Sequence, residues 1–152
     1  MLDKPAPFIG QSIARVEDPR FLTGAGRYTD DRTPAGMLHA VVLRSPEAHA
    51  RIVSLDTSAA AGMPGVHAVL TAAEAKADGL GAFVPINTLP MADGSPMRVP
   101  PRPVLAETVL RYTGDPVALV VAETREQAKD AAEAIELEVE ALPAVTSVRA
   151  IK

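Results

Sequence analysis

The sequence predicts an α+β fold: a mixed sheet built from two strand-helix-strand units, with an irregular N-terminal arm and a long proline-rich loop. Three observations carry this. Strand, helix and strand patterns follow one another twice, over 51–70 and 117–141. Two threonines, Thr71 and Thr124, have a Glu or Gln three residues on (Glu74, Gln127), the spacing of a capping box that opens a helix. At 152 residues, 47% hydrophobic and 22% charged, the chain suits one globular domain.

From the front, residues 1–36 are broken by Pro5, Pro7, Pro19 and Pro34 and by Gly10, Gly24, Gly26 and Gly36, so an extended arm lying along a surface is expected. Met37 to Arg44 and Arg51 to Leu55 are strand candidates. A turn containing Ser45 and Pro46 joins them, and a hairpin is the expected pairing. Asp56 or Thr57 can cap a short alanine-rich helix ending near Gly62, after which Pro64 and Gly65 turn the chain into a strand over Val66–Leu70. The Thr71/Glu74 box then opens a helix of about two turns. Residues 79–103 contain Pro85, Pro90, Pro96, Pro100, Pro101 and Pro103 and show no periodicity. So long a structureless stretch is unusual in a compact domain, and is either a passive surface loop or a piece that packs against something outside the chain.

The last third is the most regular. Val117 to Ala122 is an unbroken apolar run rich in β-branched residues, which suits a strand buried on both faces, with Pro116 at its start where a missing N–H costs little. The helix expected from Arg125 places Ala128, Ala131, Ala132 and Ile135 at i, i+3, i+4 and i+7, a narrow face of small side chains that allows close approach to a sheet. From Glu136 the period becomes two: Glu136, Glu138 and Glu140 share one face, and Leu137, Val139 and Ala141 the other. Pro143 ends that strand.

No candidate site survives inspection of the residues alone. Gly24-Ala25-Gly26 lacks the third glycine of a dinucleotide loop, since Thr29 stands there, and a simple turn is expected. His39, His49 and His67 are too widely spaced to aim at one metal; His39 and His67 fall inside strands, where a half-buried histidine is the plain expectation. The acids at 136, 138 and 140 repeat about every 6.6 Å along a strand, which could serve a hard cation, but alternation already explains them as a solvated face. Asp30 and Asp31, between Arg27 and Arg32, are expected in a charged turn. No nucleophile elbow or phosphate-binding loop is found. The expected catalytic, cofactor-binding and metal residues are therefore none.

The formal charge of −4 is concentrated between Glu123 and Glu140, and the remainder is close to neutral, without the basic patch of a nucleic-acid binder. Zero cysteines exclude disulfides and cysteine-ligated iron–sulfur clusters within the chain. No apolar run is long enough to span a bilayer, no signal segment is evident, and the cytoplasm is the expected compartment.

Four blocks together resemble the α/β hammerhead domain that opens the large subunits of the molybdenum hydroxylases, the xanthine dehydrogenase, aldehyde oxidase and carbon monoxide dehydrogenase family. They are RVEDPRFLTGAGRYTDD (Arg15–Asp31), GMLHAVVLRSPEAHARIVSLD (Gly36–Asp56), MPGVHAVLTAAE (Met63–Glu74) and the stretch Arg111–Val145. The resemblance implies an arm over 1–36, a hammerhead domain over 37–148 and a tail or linker over 149–152. It further implies a non-catalytic structural and assembly role. The molybdopterin cofactor would belong to the later domains of the large subunit, and the iron–sulfur clusters and FAD to partner subunits or domains. The pterin motifs and the catalytic glutamate of that family lie beyond the matched region, so none is carried onto a residue here. The chain is thus expected to be a fragment or separately encoded piece of an oxidoreductase. A stand-alone small-molecule-binding module using the same fold is the alternative.

Overall fold

The structure, a computed structural model, describes residues 9–148. Two compact units divide the chain between Ala35 and Gly36.

The first unit is largely irregular, with one short helix, α1 (Asp18–Leu22), and a single 3-10 turn at Thr29–Asp31. Pro19 sits in the first turn of α1, where its fixed φ is already helical, and the Thr23 hydroxyl donates to the Pro19 carbonyl at 2.7 Å. The ring of Phe21 organises the residues after the helix. Tyr28 stacks on it at 5.4 Å, the Arg20 guanidinium lies 5.2 Å from its centroid, and the backbone of Gly26 passes so close that a Cβ there would strike the ring. Gly24-Ala25-Gly26 is therefore the exit from a helix, packed on an aromatic side chain.

The second unit holds β1 (His39–Arg44), β2 (Ala50–Asp56), α2 (Ser58–Ala61), β3 (Val66–Leu70), α3 (Ala72–Ala77), β4 (Val109–Leu110), β5 (Pro116–Ala122), α4 (Arg125–Glu133) and β6 (Glu136–Ala141). Both capping boxes form. The Thr71 hydroxyl accepts from Ala73 N and the Thr124 hydroxyl from Gln127 N, while Glu74 and Gln127 reach back to the threonine N–H groups. The Asp56 carboxylate accepts from Ser58 N at 2.8 Å and so starts α2.

The strands pair as two separate three-stranded antiparallel sheets, β1-β5-β3 and β4-β2-β6, where a single mixed sheet was expected. Each strand-helix-strand unit is shared between the sheets. β2 is the centre of the second sheet and its sequel β3 an edge of the first; β5 is the centre of the first and its sequel β6 an edge of the second. The strands of one unit thus pair with those of the other.

The expected hairpin of β1 with β2 does not form, and its connection shows why. Ser45 N donates to Asp115 O at 2.9 Å and Gly114 N donates to Ser45 O at 2.8 Å, which ties the end of β1 to the start of β5. The Ser45 hydroxyl accepts from Glu47 N and bends the chain away to the other sheet. Asp115 completes the corner by accepting from Arg111 N at 2.9 Å. The turn at Ser45 and Pro46 is a local feature, but partners 70 residues away decide where it leads.

The alanine face of α4 packs on the first sheet. Ala128, Ala131, Ala132 and Ile135 join Ala60, Ala118, Val120 and Ala122 in one buried cluster. A second cluster of Ala50, Ala106, Leu110 and Val117 belongs to the second sheet. Alanines make up most of the first, so close backbone approach matters more there than side-chain bulk, whereas Leu110 and Val117 supply the bulk of the second.

Gly65 illustrates that closeness. Its φ is +78°, its carbonyl accepts from Glu123 N, and a Cβ would occupy the space of the Gln127 amide that caps α4. Gly94, at φ +81°, faces open space. Gly94→Ala should then cost about 1–2 kcal/mol for the left-handed backbone alone. Gly65→Ala should cost roughly 1 kcal/mol more, because the α4 cap is displaced as well. Urea denaturation of the two variants measures the difference, and equal losses would show that Gln127 yields freely.

Candidate interaction surface

The side chains singled out from the sequence do not converge. Glu136, Glu138 and Glu140 are exposed along β6, with Glu140 paired to Arg51 at 2.9 Å and Glu138 accepting from the Ser54 hydroxyl at 3.1 Å. This is a solvated, cross-strand-paired face. His39 is half-buried in β1, His67 on β3 lies 3.8 Å from Glu123, and His49 Nδ1 meets the Pro143 carbonyl at 2.7 Å. Asp31 accepts from Tyr28 N at 2.8 Å inside the 3-10 turn, which gives it a structural partner. Among the described residues no group of three or more His, Asp or Glu side chains could hold a metal ion. Without cysteine the chain does not fit a cysteine-ligated iron–sulfur cluster.

The first sheet offers something the sequence reading did not identify. Its side chains alternate between two faces: Val41, Leu43, Val69, Ala118, Val120 and Ala122 meet the helix side. Val42, Leu70, Leu119 and Val121 fall on the opposite face and are only half-buried. Helix α3 and the segment Val104–Leu105 lean over one end of that face, leaving a groove of about 290 Å³. Val42, Leu70, Ala75, Leu80, Val104 and Leu119 line it, and Arg44, Glu74 and Asp78 stand at its rim. The available signal was the size contrast along β5, small residues toward α4 and larger Leu119 and Val121 away from it.

The loop over 79–103 springs from the same rim. An isolated bridge, Phe83 N to Arg102 O at 2.8 Å, pinches its base, and the Arg102 guanidinium lies 5.9 Å from the Tyr112 ring centroid. Beyond the bridge Val84, Ile86 and Leu89 are 76%, 99% and 74% exposed. Apolar side chains held out in this way next to an apolar groove mark a surface for burial against another body.

Charge at the groove is set locally. The Thr71 hydroxyl, and after it the Thr71 N–H, donate to the Glu74 carboxylate and hold its pKa below the usual glutamate value. The Arg44 guanidinium is drawn to the Gly114 carbonyl at 3.0 Å, toward the start of β5.

These features define a class: a two-sheet α+β domain in which several polar side chains hold its own caps and corners and apolar surface is left open on the first sheet and the loop. The family model described as "Aldehyde oxidase and xanthine dehydrogenase, a/b hammerhead domain" matches residues 23–143, and the chain belongs to that family. It is 45% identical over 141 residues to the nicotine 6-hydroxylase large subunit of Paenarthrobacter nicotinovorans, covering 93% of this chain and 16% of that protein. The xanthine dehydrogenase molybdenum-binding subunit of Escherichia coli O157:H7 is 36% identical over 136 residues, covering 88% of this chain and 17% of that one. The crystal structure of quinoline 2-oxidoreductase from Pseudomonas putida 86 superposes with a TM-score of 0.82 at 43% identity, over 93% of this chain and 17% of that one. The chain thus spans about a sixth of each of these relatives. Among its described residues no helix is long and apolar enough to cross a membrane.

The two capping boxes differ in charge, and pH separates them. Because the folded-state pKa of Glu74 is lowered, its contribution to stability is present above the ordinary value of 4.5 and is lost as pH falls through the folded value. Glu74→Gln supplies the same cap without a titrating group, as Gln127 does at α4. The variant should melt close to the parent at neutral pH and gain on it below pH 4.5. Melting curves across that range check this, and a parallel acid decline would show that Glu74 is not the group responsible.

Proposed function

We propose that the chain is a non-catalytic structural and assembly domain of a molybdenum-cofactor-dependent hydroxylase or dehydrogenase, working as the hammerhead domain of its large subunit. The observation that carries this is the pairing of a closed core with an open apolar surface: the α4 side of the first sheet is sealed, while Ile86 and its neighbours and the half-buried far face of that sheet await cover. The relatives supply the body that would cover it, since the matched span is 16–17% of their length.

On this reading the partners are the molybdopterin-binding domains of the large subunit, together with iron–sulfur and flavin subunits or domains. The molybdenum cofactor supplies oxidation chemistry on those other domains. This chain contributes shape: the first sheet, α3 and Val104–Leu105 form the groove, and residues 37–148 act as the docking body with 1–36 as an arm and 149–152, outside the described residues, as a linker. The cytoplasm is the compartment proposed, because a cysteine-free domain needs no oxidising environment.

A stand-alone small-molecule module is the second reading, favoured by the groove itself. Its volume of about 290 Å³ sits at the foot of the roughly 300–1,000 Å³ usual for ligand pockets, and its polar groups stand at the rim. Assembly accounts for both the groove and the loop, and is preferred.

The test is co-purification. The chain, tagged and expressed with the genes that flank its own, should bring down molybdenum and iron measurable by elemental analysis of the eluate, and none when expressed alone. A solitary domain, stable and metal-free in both cases, would contradict the assembly role.

A further inference from the structure

We propose that the groove between α3 and the first sheet receives an aliphatic side chain, flanked by a lysine or arginine, from an extended segment of the molybdopterin-binding remainder of the large subunit. This rests on the assembly reading above and names the contact it uses.

The shape of the groove selects the first feature of the occupant. Val42, Leu70 and Leu119 form its floor and Ala75 the wall offered by α3; alanine at that position leaves the space that a larger residue would fill. A volume of about 290 Å³ admits an aliphatic side chain or two together with the backbone that carries them. The floor is the half-buried side of a sheet whose other side is sealed by α4, so filling it demands no rearrangement of the core.

Charge selects the second feature. Asp78 is the C-cap of α3, and its carboxylate forms no ion pair among the described residues. Glu74 adds an anion at the same rim, engaged only by Thr71. Arg44, the one cation of the lining, has its guanidinium on the Gly114 carbonyl. The rim is therefore anionic overall, and a basic residue next to the inserted aliphatic one answers it.

This chain's own most exposed apolar run does not match that description. Residues 84–91, VPINTLPM, carry no lysine or arginine, so insertion of that run into the groove, its own or a second copy's, leaves Asp78 unanswered. A neutral apolar small molecule fails for the same reason. The relatives continue for more than four-fifths of their length outside the matched span, which supplies chain in abundance.

A chimera tests the proposal in an intact subunit. Residues 9–148 replace the matching 45%-identical span of the nicotine 6-hydroxylase large subunit, co-expressed with its natural partner subunits. Hydrogen exchange is then followed by mass spectrometry on peptides covering Leu70–Leu80, in the chimera and in the isolated chain. The expected result is that the chimera assembles with molybdenum and that these peptides exchange slower by about tenfold or more than in the isolated chain. Ala75→Arg, which fills the groove, and Asp78→Lys, which reverses its rim, should each restore fast exchange there and lower the yield of assembled, molybdenum-containing subunit. Circular dichroism of the isolated variants confirms that each retains its fold, and either one that does so decides the matter.

An assembled chimera with Leu70–Leu80 exchanging as in the free chain, or indifferent to both substitutions, overturns the groove contact and leaves the assembly reading standing. Failure of the parental chimera to assemble overturns both. Protection of the same peptides in the isolated chain, accompanied by dimerisation or by a bound small molecule in native mass spectra, also overturns the proposal and identifies the occupant as a second copy or a ligand.

Discussion

Val117 and Ala118 are consecutive in a strand, so their side chains point to opposite faces of a sheet, and both are fully buried. That double burial of β5 is the constraint on which the second unit depends. Ala118, Val120 and Ala122 lie under α4, while Val117 belongs to the cluster of the second sheet. β5 also supplies backbone partners to β1 on one side and β3 on the other. Its first residue, Pro116, accepts from Ala106 N at 2.7 Å, which holds the segment leading to β4. Full burial of a valine side chain is worth about 1.5–3 kcal/mol. Polar disruption at Val117 or Val120 would therefore unsettle both sheets together.

Much of this was legible in the sequence, and the legible part is local. The capping threonines Thr71 and Thr124, the alanine face of α4, the proline at the start of β5 and the alternation from Glu136 to Glu140 each depend on neighbours within a turn or two, and each appears where expected, while Ala141 at the strand end is exposed. Strand partnership does not depend on neighbours. Nothing within 37–56 says that β1 will pair with β5 and β2 with β6, because the partners that decide it, such as Asp115 for Ser45, lie far along the chain. The hairpin expectation failed for that reason. The groove was hidden for a related one: it is made by Val42, Leu70, Ala75 and Leu119, which only the sheet brings together.

The polar residues have a consistent economy. Glu74 and Gln127 cap helices, Asp115 and Ser45 fasten a corner, Asp56 starts α2, and Glu138 and Glu140 face Ser54 and Arg51 across a strand pair. Each is committed to its own architecture, while apolar surface on the loop and on one sheet face is left open.

The most direct measurement of this account is residue-resolved hydrogen exchange on the isolated chain. The amides of β5 from Val117 to Ala122 should exchange slowest and only through global unfolding, while those of residues 84–99 should exchange near the rate of unstructured peptide. Such a contrast would show a self-sufficient core carrying a surface that waits for its partner. Contradiction would come from β5 amides exchanging as fast as the loop, which would mean that the core itself requires contacts from outside the chain, or from a loop as protected as β5, which would mean that its apolar side chains are already covered.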